Sequence, residues 1–226
     1  MSKNILVVAA HADDEILGCG GTMAKHADAG DDVAVIFLTN GVGSRGAGEE
    51  DSQNVELRDC SAQKALGIVG ARSLTRLELP DNAMDSVSRL EIIQALEPYI
   101  KSFQPETIYT HHGGDLNIDH RRVLEAVLTA CRPQPGSFLS QIYSFEVASS
   151  TAWQGSSLSS AFSPNHYIDI SQQLDRKLTA LEAYSEEMRD FPHARSIKAL
   201  EVQAKFRGAQ VGLEAAEAFV LERSIG

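Results

Sequence analysis

Five short apolar or β-branched runs alternate with segments of helical periodicity along this chain, and that alternation leaves few ways to fold. The runs are Ile5 to Ala10, Val33 to Leu38, Leu74 to Leu77, Thr107 to Thr110 and Ile142 to Phe145. The helical segments lie near 15–29, 54–66, 87–102 and 120–131. Strands separated by helices pair in parallel, and right-handed crossovers then lay helices on both faces of the sheet. The expectation is an α/β fold, a Rossmann-like three-layer sandwich with a mostly parallel sheet, in which the fourth strand lies beside the first. A chain of 226 residues with 43% hydrophobic content can bury such a core as one domain spanning 1–226. From Gln172 onward the chain reads as two helices interrupted at Phe191-Pro192-His193, where proline breaks the pattern.

Chemistry concentrates at two of the strand ends. The first run leads directly into His11-Ala12-Asp13-Asp14-Glu15, and the fourth into His111-His112-Gly113-Gly114-Asp115-Leu116-Asn117-Ile118-Asp119-His120. Side chains leaving an open sheet at its strand ends project into the crevice between the following loops. A catalytic zinc takes three protein ligands from histidine and carboxylate and keeps a position for water, and two convergent loops can supply that set. A charged turn is the plainer reading of the first cluster, with an aspartate capping the next helix. For His120 it is an exposed histidine in a first helical turn, where the helix dipole disfavours a charged ring.

The formal charge of −11 lacks the basic footprint that a nucleic-acid backbone requires. No run approaches the roughly 18 apolar residues of a membrane span, and the first run is too short and too soon charged for a signal peptide. Cys19, Cys60 and Cys131 form no paired framework, which suits a reducing, cytoplasmic setting. A homo-oligomer is among the arrangements the sequence allows. Gly18-Cys19-Gly20-Gly21-Thr22 has neither the third glycine of a dinucleotide fingerprint nor the Lys-Ser/Thr pair of a phosphate loop. These glycines read as close helix-to-sheet packing instead.

The two clusters together resemble the PIG-L/LmbE-like family of zinc-dependent N-deacetylases. Its first motif, His-Pro-Asp-Asp-Glu, matches His11 and Asp13-Asp14-Glu15 with Ala12 in the proline position, and its Asp-His pair matches Asp119-His120. Further likenesses are Thr39-Asn40-Gly41, Glu56-Leu57-Arg58, Leu79-Pro80-Asp81, Pro164-Asn165 and Ala216-Glu217-Ala218-Phe219. The resemblance implies Zn2+ held by His11, Asp14 and His120, with Asp13 as the general base beside it. Orientation of ligands is the plainer role for Asp13, and Glu15 reads as a first-turn residue or a partner to a ligand.

The implied reaction is removal of the acetyl group from an N-acetylated amino sugar or sugar conjugate of the N-acetylglucosamine type, a small-molecule substrate. Arg58 and Asp81 fall on landmarks of the cleft, and Asn117 stands where many relatives carry a histidine. An asparagine amide donates a hydrogen bond but shuttles no proton, so the acid for the leaving amine is left open. His193 and Arg195 are placed to close over a sugar. The plainer alternatives are a surface salt bridge for Arg58 and an interhelical turn for His193 and Arg195. The loops Asn40 to Ser52 and Ser149 to Pro164 read as the rim. Rival functions are an amidase on a thiol-sugar conjugate or antibiotic intermediate, a metal-dependent phosphoryl-transfer enzyme, and a sugar-binding module that keeps its metal without turnover.

Overall fold

The computed structural model describes residues 2–41, 50–155, 157 and 160–226. Among these residues seven strands form one sheet: β1 (Asn4–Ala9), β2 (Asp32–Thr39), β3 (Arg72–Leu79), β4 (Thr107–His111), β5 (Gln141–Phe145), β6 (His166–Asp169) and β7 (Ala216–Ser224). Their order is β3-β2-β1-β4-β5-β7-β6. The pairs among β1 to β5 are parallel, while β7 runs antiparallel to both β5 and β6. The expected neighbours β1 and β4 do pair, from Ile5 against Thr107 to Val8 against Thr110.

The helices are α1 (Asp14–Asp28), α2 (Glu50–Val69), α3 (Arg89–Phe103), α4 (Ile118–Ala130), α5 (Leu174–Glu182) and α6 (Ile197–Ala209). Successive side chains of a strand point to opposite faces, and β1 obeys this strictly. Ile5, Val7 and Ala9 pack with residues of α1, α2 and α5, whereas Leu6, Val8 and Ala10 pack with α3 and α4. Burial on both faces explains why β1 reads as an unbroken apolar run.

The C-terminal region departs from the sequence reading. Two helices are present, but the chain then returns through the sheet as β7, and β6 precedes them. Ala216-Glu217-Ala218 has the composition of a helix. Its placement is decided by tertiary contacts: Glu217 lies in the interior, where it accepts hydrogen bonds from the backbone N–H groups of Gly21 at 2.9 Å and Thr22 at 2.7 Å. Lys177 Nζ donates to the same carboxylate at 2.5 Å and to the carbonyl of Leu17 at 2.9 Å. These contacts secure α1 where its backbone leaves helical geometry at Cys19. Gly18 and Gly21 pass so close to the sheet that a Cβ would come within 2.2 Å of the Phe145 ring and 2.8 Å of Ile170.

Removing one member of a buried ion pair leaves the other charge stranded, at a cost of about 3–5 kcal/mol. Lys177→Met therefore destabilises the fold by about that amount, measured as a lowered denaturation midpoint with an unchanged slope. A midpoint equal to that of the wild type contradicts it.

The chain builds outward from β1 to β2 and β3, then crosses back to β4 on the other side of β1. This reversal opens a crevice at the C-terminal ends of β1 and β4, where open α/β sheets bind ligands. Both histidine-bearing loops end there.

Candidate metal centre

His11, Asp14 and His120 meet in the crevice with one potential ligand atom from each lying within 4.8 Å of the others. Asp14 Oδ2 is 3.1 Å from His11 Nδ1 and 3.2 Å from His120 Nε2. Bonds of about 2.0–2.1 Å in a tetrahedron set ligand atoms roughly 3.3 Å apart, so this spacing fits one ion such as zinc. The burial pattern points the same way. Asp14 Oδ1 and His120 Nε2 are buried without a hydrogen-bond partner, a costly state that coordination would relieve.

The other atoms of the ligands are tied down. Asp115 Oδ2 lies 3.1 Å from His120 Nδ1, and its carboxylate also accepts from Ser150 Oγ at 3.1 Å and Thr151 Oγ1 at 2.6 Å. A carboxylate on one ring nitrogen sets the tautomer that leaves the other nitrogen's lone pair for a metal. Asp119 does the same for His11, at 3.0 Å from Nε2, and is itself held by the N–H groups of Asn82 and Met84. His111 accepts from the N–H of Ala10 at 2.8 Å, so that nitrogen is committed, and its ring stacks on His120 at 3.9 Å. It is a support for a ligand. His112 points elsewhere and meets Phe162 edge to face.

A second grouping, His11 with Asp81 and Asp119, also meets the spacing for an ion. Asp119 there already accepts two backbone hydrogen bonds, and both carboxylates approach the same nitrogen of His11. The first grouping, with its orphaned atoms, is the better cage.

Asp13 stands beside the cage without joining it. Its φ of 127° is strained for a residue with a side chain. Glu15 holds that conformation by accepting from the Asp13 N–H at 3.0 Å and from the Tyr184 hydroxyl at 2.5 Å. The Asp13 carboxylate pairs with Arg195 Nη1 at 2.8 Å, and Arg195 Nε donates to Ser149 Oγ at 3.1 Å. Ser149 too has a positive φ, 81°. Burial pushes Asp13 up to about 7 despite the opposing charge of Arg195, and pushes Glu15 up to about 8. Burial would also raise Asp14, but His120, His111 and His11 together hold it well below the usual carboxylate range.

The expected substrate residues gather around an inner cavity of about 140 Å³ lined by His11, Asp13, Arg58, Asp81, Asn82, Asn117, Glu187 and Arg195. Arg58 pairs with Glu187 across the cavity wall. Asn117 caps α4 through its oxygen, accepting from the Asp119 N–H, while its amide nitrogen donates to Asn82 Oδ1 at 3.0 Å. His193 lies farther out, lining a neighbouring outer cavity and accepting from the Arg195 N–H. Gly41 reaches the inner cavity and Ser149, Ser150 and Trp153 the outer one; residues 42–49, 156, 158 and 159 of the expected rim lie outside the described residues.

Sequence reasoning gave no role to Asn82, Asp115 or Glu187, and placed Arg195 on substrate without its tie to Asp13. The five-residue offset from Asp115 to His120 was a visible signal; the others come from distant loops. Replacing Asp115 with Asn lowers metal affinity about 10- to 100-fold, the usual cost of losing an orienting partner. Competition with a chelator measures it, and unchanged affinity contradicts the assignment.

Metal binding also responds to pH. Burial opposes charge on His120, but Asp14 and Asp115 outweigh it and push its pKa up to about 9. A raised pKa means the metal-free ring stays protonated below that value, so metal must displace a proton. Burial opposes charge on His11 as well, but Asp119, Asp14 and Asp81 raise it, so apparent affinity rises with pH up to about 9, with at least one proton released per ion. Affinity independent of pH between 6 and 8, a flat profile by calorimetry, refutes this.

The family model for PIG-L, GlcNAc-PI de-N-acetylase, matches residues 6–131, more than half of the chain. The uncharacterized deacetylase YaiS of Escherichia coli is 31% identical over 152 residues, covering 65% of this chain and 75% of that protein. A probable N-acetyl-α-D-glucosaminyl L-malate deacetylase 2 of Bacillus cereus is 27% identical over 206 residues, covering 86% of this chain and 90% of its own. Among solved structures, GalB, the 4-carboxy-2-hydroxymuconate hydratase of Pseudomonas putida, superposes with a TM-score of 0.79 at 21% identity, covering 99% of this chain and 98% of that one. That likeness concerns the fold, which also carries a hydratase; the reaction is argued from the site.

Proposed function

The chain belongs to the PIG-L family, and on that premise we propose that it is a zinc-dependent hydrolase that removes the acetyl group from an N-acetylated amino sugar or its conjugate. Family membership and its deacetylase relatives carry the reaction class. The observation that carries the metal is the pair of buried, unpartnered atoms, Asp14 Oδ1 and His120 Nε2, on two residues grouped with His11 at ligand spacing. Two imidazoles and a carboxylate favour zinc over magnesium, which prefers oxygen ligands throughout.

When bound, zinc lowers the pKa of water and polarises a carbonyl. This chain's residues do the rest. Asp13, poised near 7 by burial, takes the proton of the attacking water, a task suited to a base whose pKa lies near the working pH. Arg195 and the strained backbone at Asp13 hold that carboxylate aside from the ligands. Asn117 shuttles no proton and His193 lines the outer cavity, so Asp13, having taken the proton, is also assigned to return it to the departing amine. Asp81, Arg58, Asn82 and Asn117 supply the polar contacts that orient a sugar. Among the described residues no helix is long and apolar enough to cross a membrane.

Acetate release from a set of N-acetylated amino-sugar conjugates tests the reading, with chelator added and zinc then restored. Release that stops with chelator and returns with zinc is the expected result. No release from any N-acetyl sugar by the metal-loaded protein overturns it.

A further inference from the structure

The inner cavity adjoins an outer one of about 530 Å³, and the two share Asn82, Asn117, Glu187 and Arg195. Pockets that enclose a small ligand usually measure roughly 300–1,000 Å³, so the inner cavity at about 140 Å³ falls short while the outer one lies within that range. An acetamido sugar seated at the metal centre therefore leaves a large space beside it.

Leu116, Ile118 and Trp153 supply apolar surface in a lining that is otherwise polar. Trp153, the one tryptophan of the chain, is 56% exposed, and Leu116 is 48% exposed beside it. Among the described residues the ring that meets Trp153 is His193, in a T-shaped approach at 5.7 Å. The indole is thus a broad, open apolar surface with a polar edge. The backbone that carries it is tied to the chemistry. The main-chain N–H of Trp153 donates to the carbonyl of Ser149, whose hydroxyl accepts from Arg195, while the intervening Ser150 and Thr151 donate to Asp115.

The charges around the outer cavity are largely spoken for. Glu187 pairs with Arg58 and Arg195 with Asp13, whereas Arg189 Nη1 donates to the carbonyls of Glu186 and Met188, which orient that guanidinium without neutralising it. A neutral ring with an apolar face suits the surface of Trp153, Leu116 and Ile118, whereas an anionic tail calls for several cations converging on it.

Building on the deacetylase reading, we propose that the outer cavity is a subsite for a second sugar ring, with Trp153 as the surface on which that ring lies. The substrate is then at least a disaccharide, its N-acetylated ring at the metal and its neighbour on the indole.

The single tryptophan makes occupancy directly visible. Metal-loaded wild-type protein and, to slow turnover, Asp13→Asn are titrated with N-acetylglucosamine, N,N′-diacetylchitobiose and N-acetylglucosamine 1-phosphate while Trp153 emission is followed. The disaccharide should change the emission saturably, at concentrations at least tenfold below those at which the monosaccharide acts. Wild-type kcat/KM should favour the disaccharide by at least tenfold. Trp153→Ala should remove most of that preference through KM, and Trp153→Phe, which keeps a ring, should restore much of it. Equal emission responses to mono- and disaccharide, or a response confined to the phosphate, overturn the second-ring subsite. So does a disaccharide preference that survives Trp153→Ala; with deacetylation still present, each of these leaves the reaction class standing. Absence of turnover on every sugar is instead the failure of the deacetylase reading, and the emission titration still decides whether the ring binds.

Discussion

Replacing Asp13 by Asn lowers the rate of acetyl release by roughly 100- to 10,000-fold, the range expected when a general base is removed, and leaves the metal in place. The amide keeps the shape of the carboxylate and a contact to Arg195, which lies 2.8 Å from Asp13 Oδ2. It accepts no proton at neutral pH. Because Asp13 stands outside the group of His11, Asp14 and His120, metal content should match that of the wild type. The check is metal per chain and acetate release on one sample. A variant that loses its metal along with its rate would return Asp13 to the ligands, and one that keeps its rate would remove it from the chemistry.

The second large effect is on the metal itself. His120→Ala removes a ligand whose far nitrogen is already held by Asp115, and nothing adjacent replaces it, since His111 is committed to the Ala10 N–H. The loss of affinity should exceed the 10- to 100-fold that an orienting partner costs, so that the purified variant carries far less than one ion. Asp14→Asn should do the same, because an amide oxygen is uncharged and a poorer ligand. The fold should survive both, since the ion joins two loops and the core is the sheet. Elemental analysis beside circular dichroism measures this. Full metal content in His120→Ala contradicts the assignment.

These residues were legible in the sequence because each lies within a few positions of a strand end that itself reads clearly. Ile5 to Ala10 and Thr107 to Thr110 are buried on both faces, so they stand out as apolar runs, and the loops that follow carry the chemistry. The partners that tune the site were harder to see. Arg195 meets Asp13 across 182 positions of chain, and Tyr184 meets Glu15 across 169. No local pattern marks such pairs. Nor did local pattern find β7, where Ala216, Glu217 and Ala218 favour a helix on propensity and the buried pairing of Glu217 with Lys177 overrides it. β6 is short and only half-buried, which leaves it without a clear alternation. Arg58 reads equally as a surface helix residue; only its pairing with Glu187 places it on the cavity wall.

Among the described residues, two groupings of side chains in the crevice meet the spacing for an ion, and they share His11. Diffraction from zinc-loaded crystals on the two sides of the zinc absorption edge distinguishes them directly. One anomalous peak is expected, about 2.0–2.2 Å from His11 Nδ1, an Asp14 oxygen and His120 Nε2, with Asp13 beyond bonding distance. A peak lying instead between His11 Nε2, Asp81 and Asp119 would contradict it.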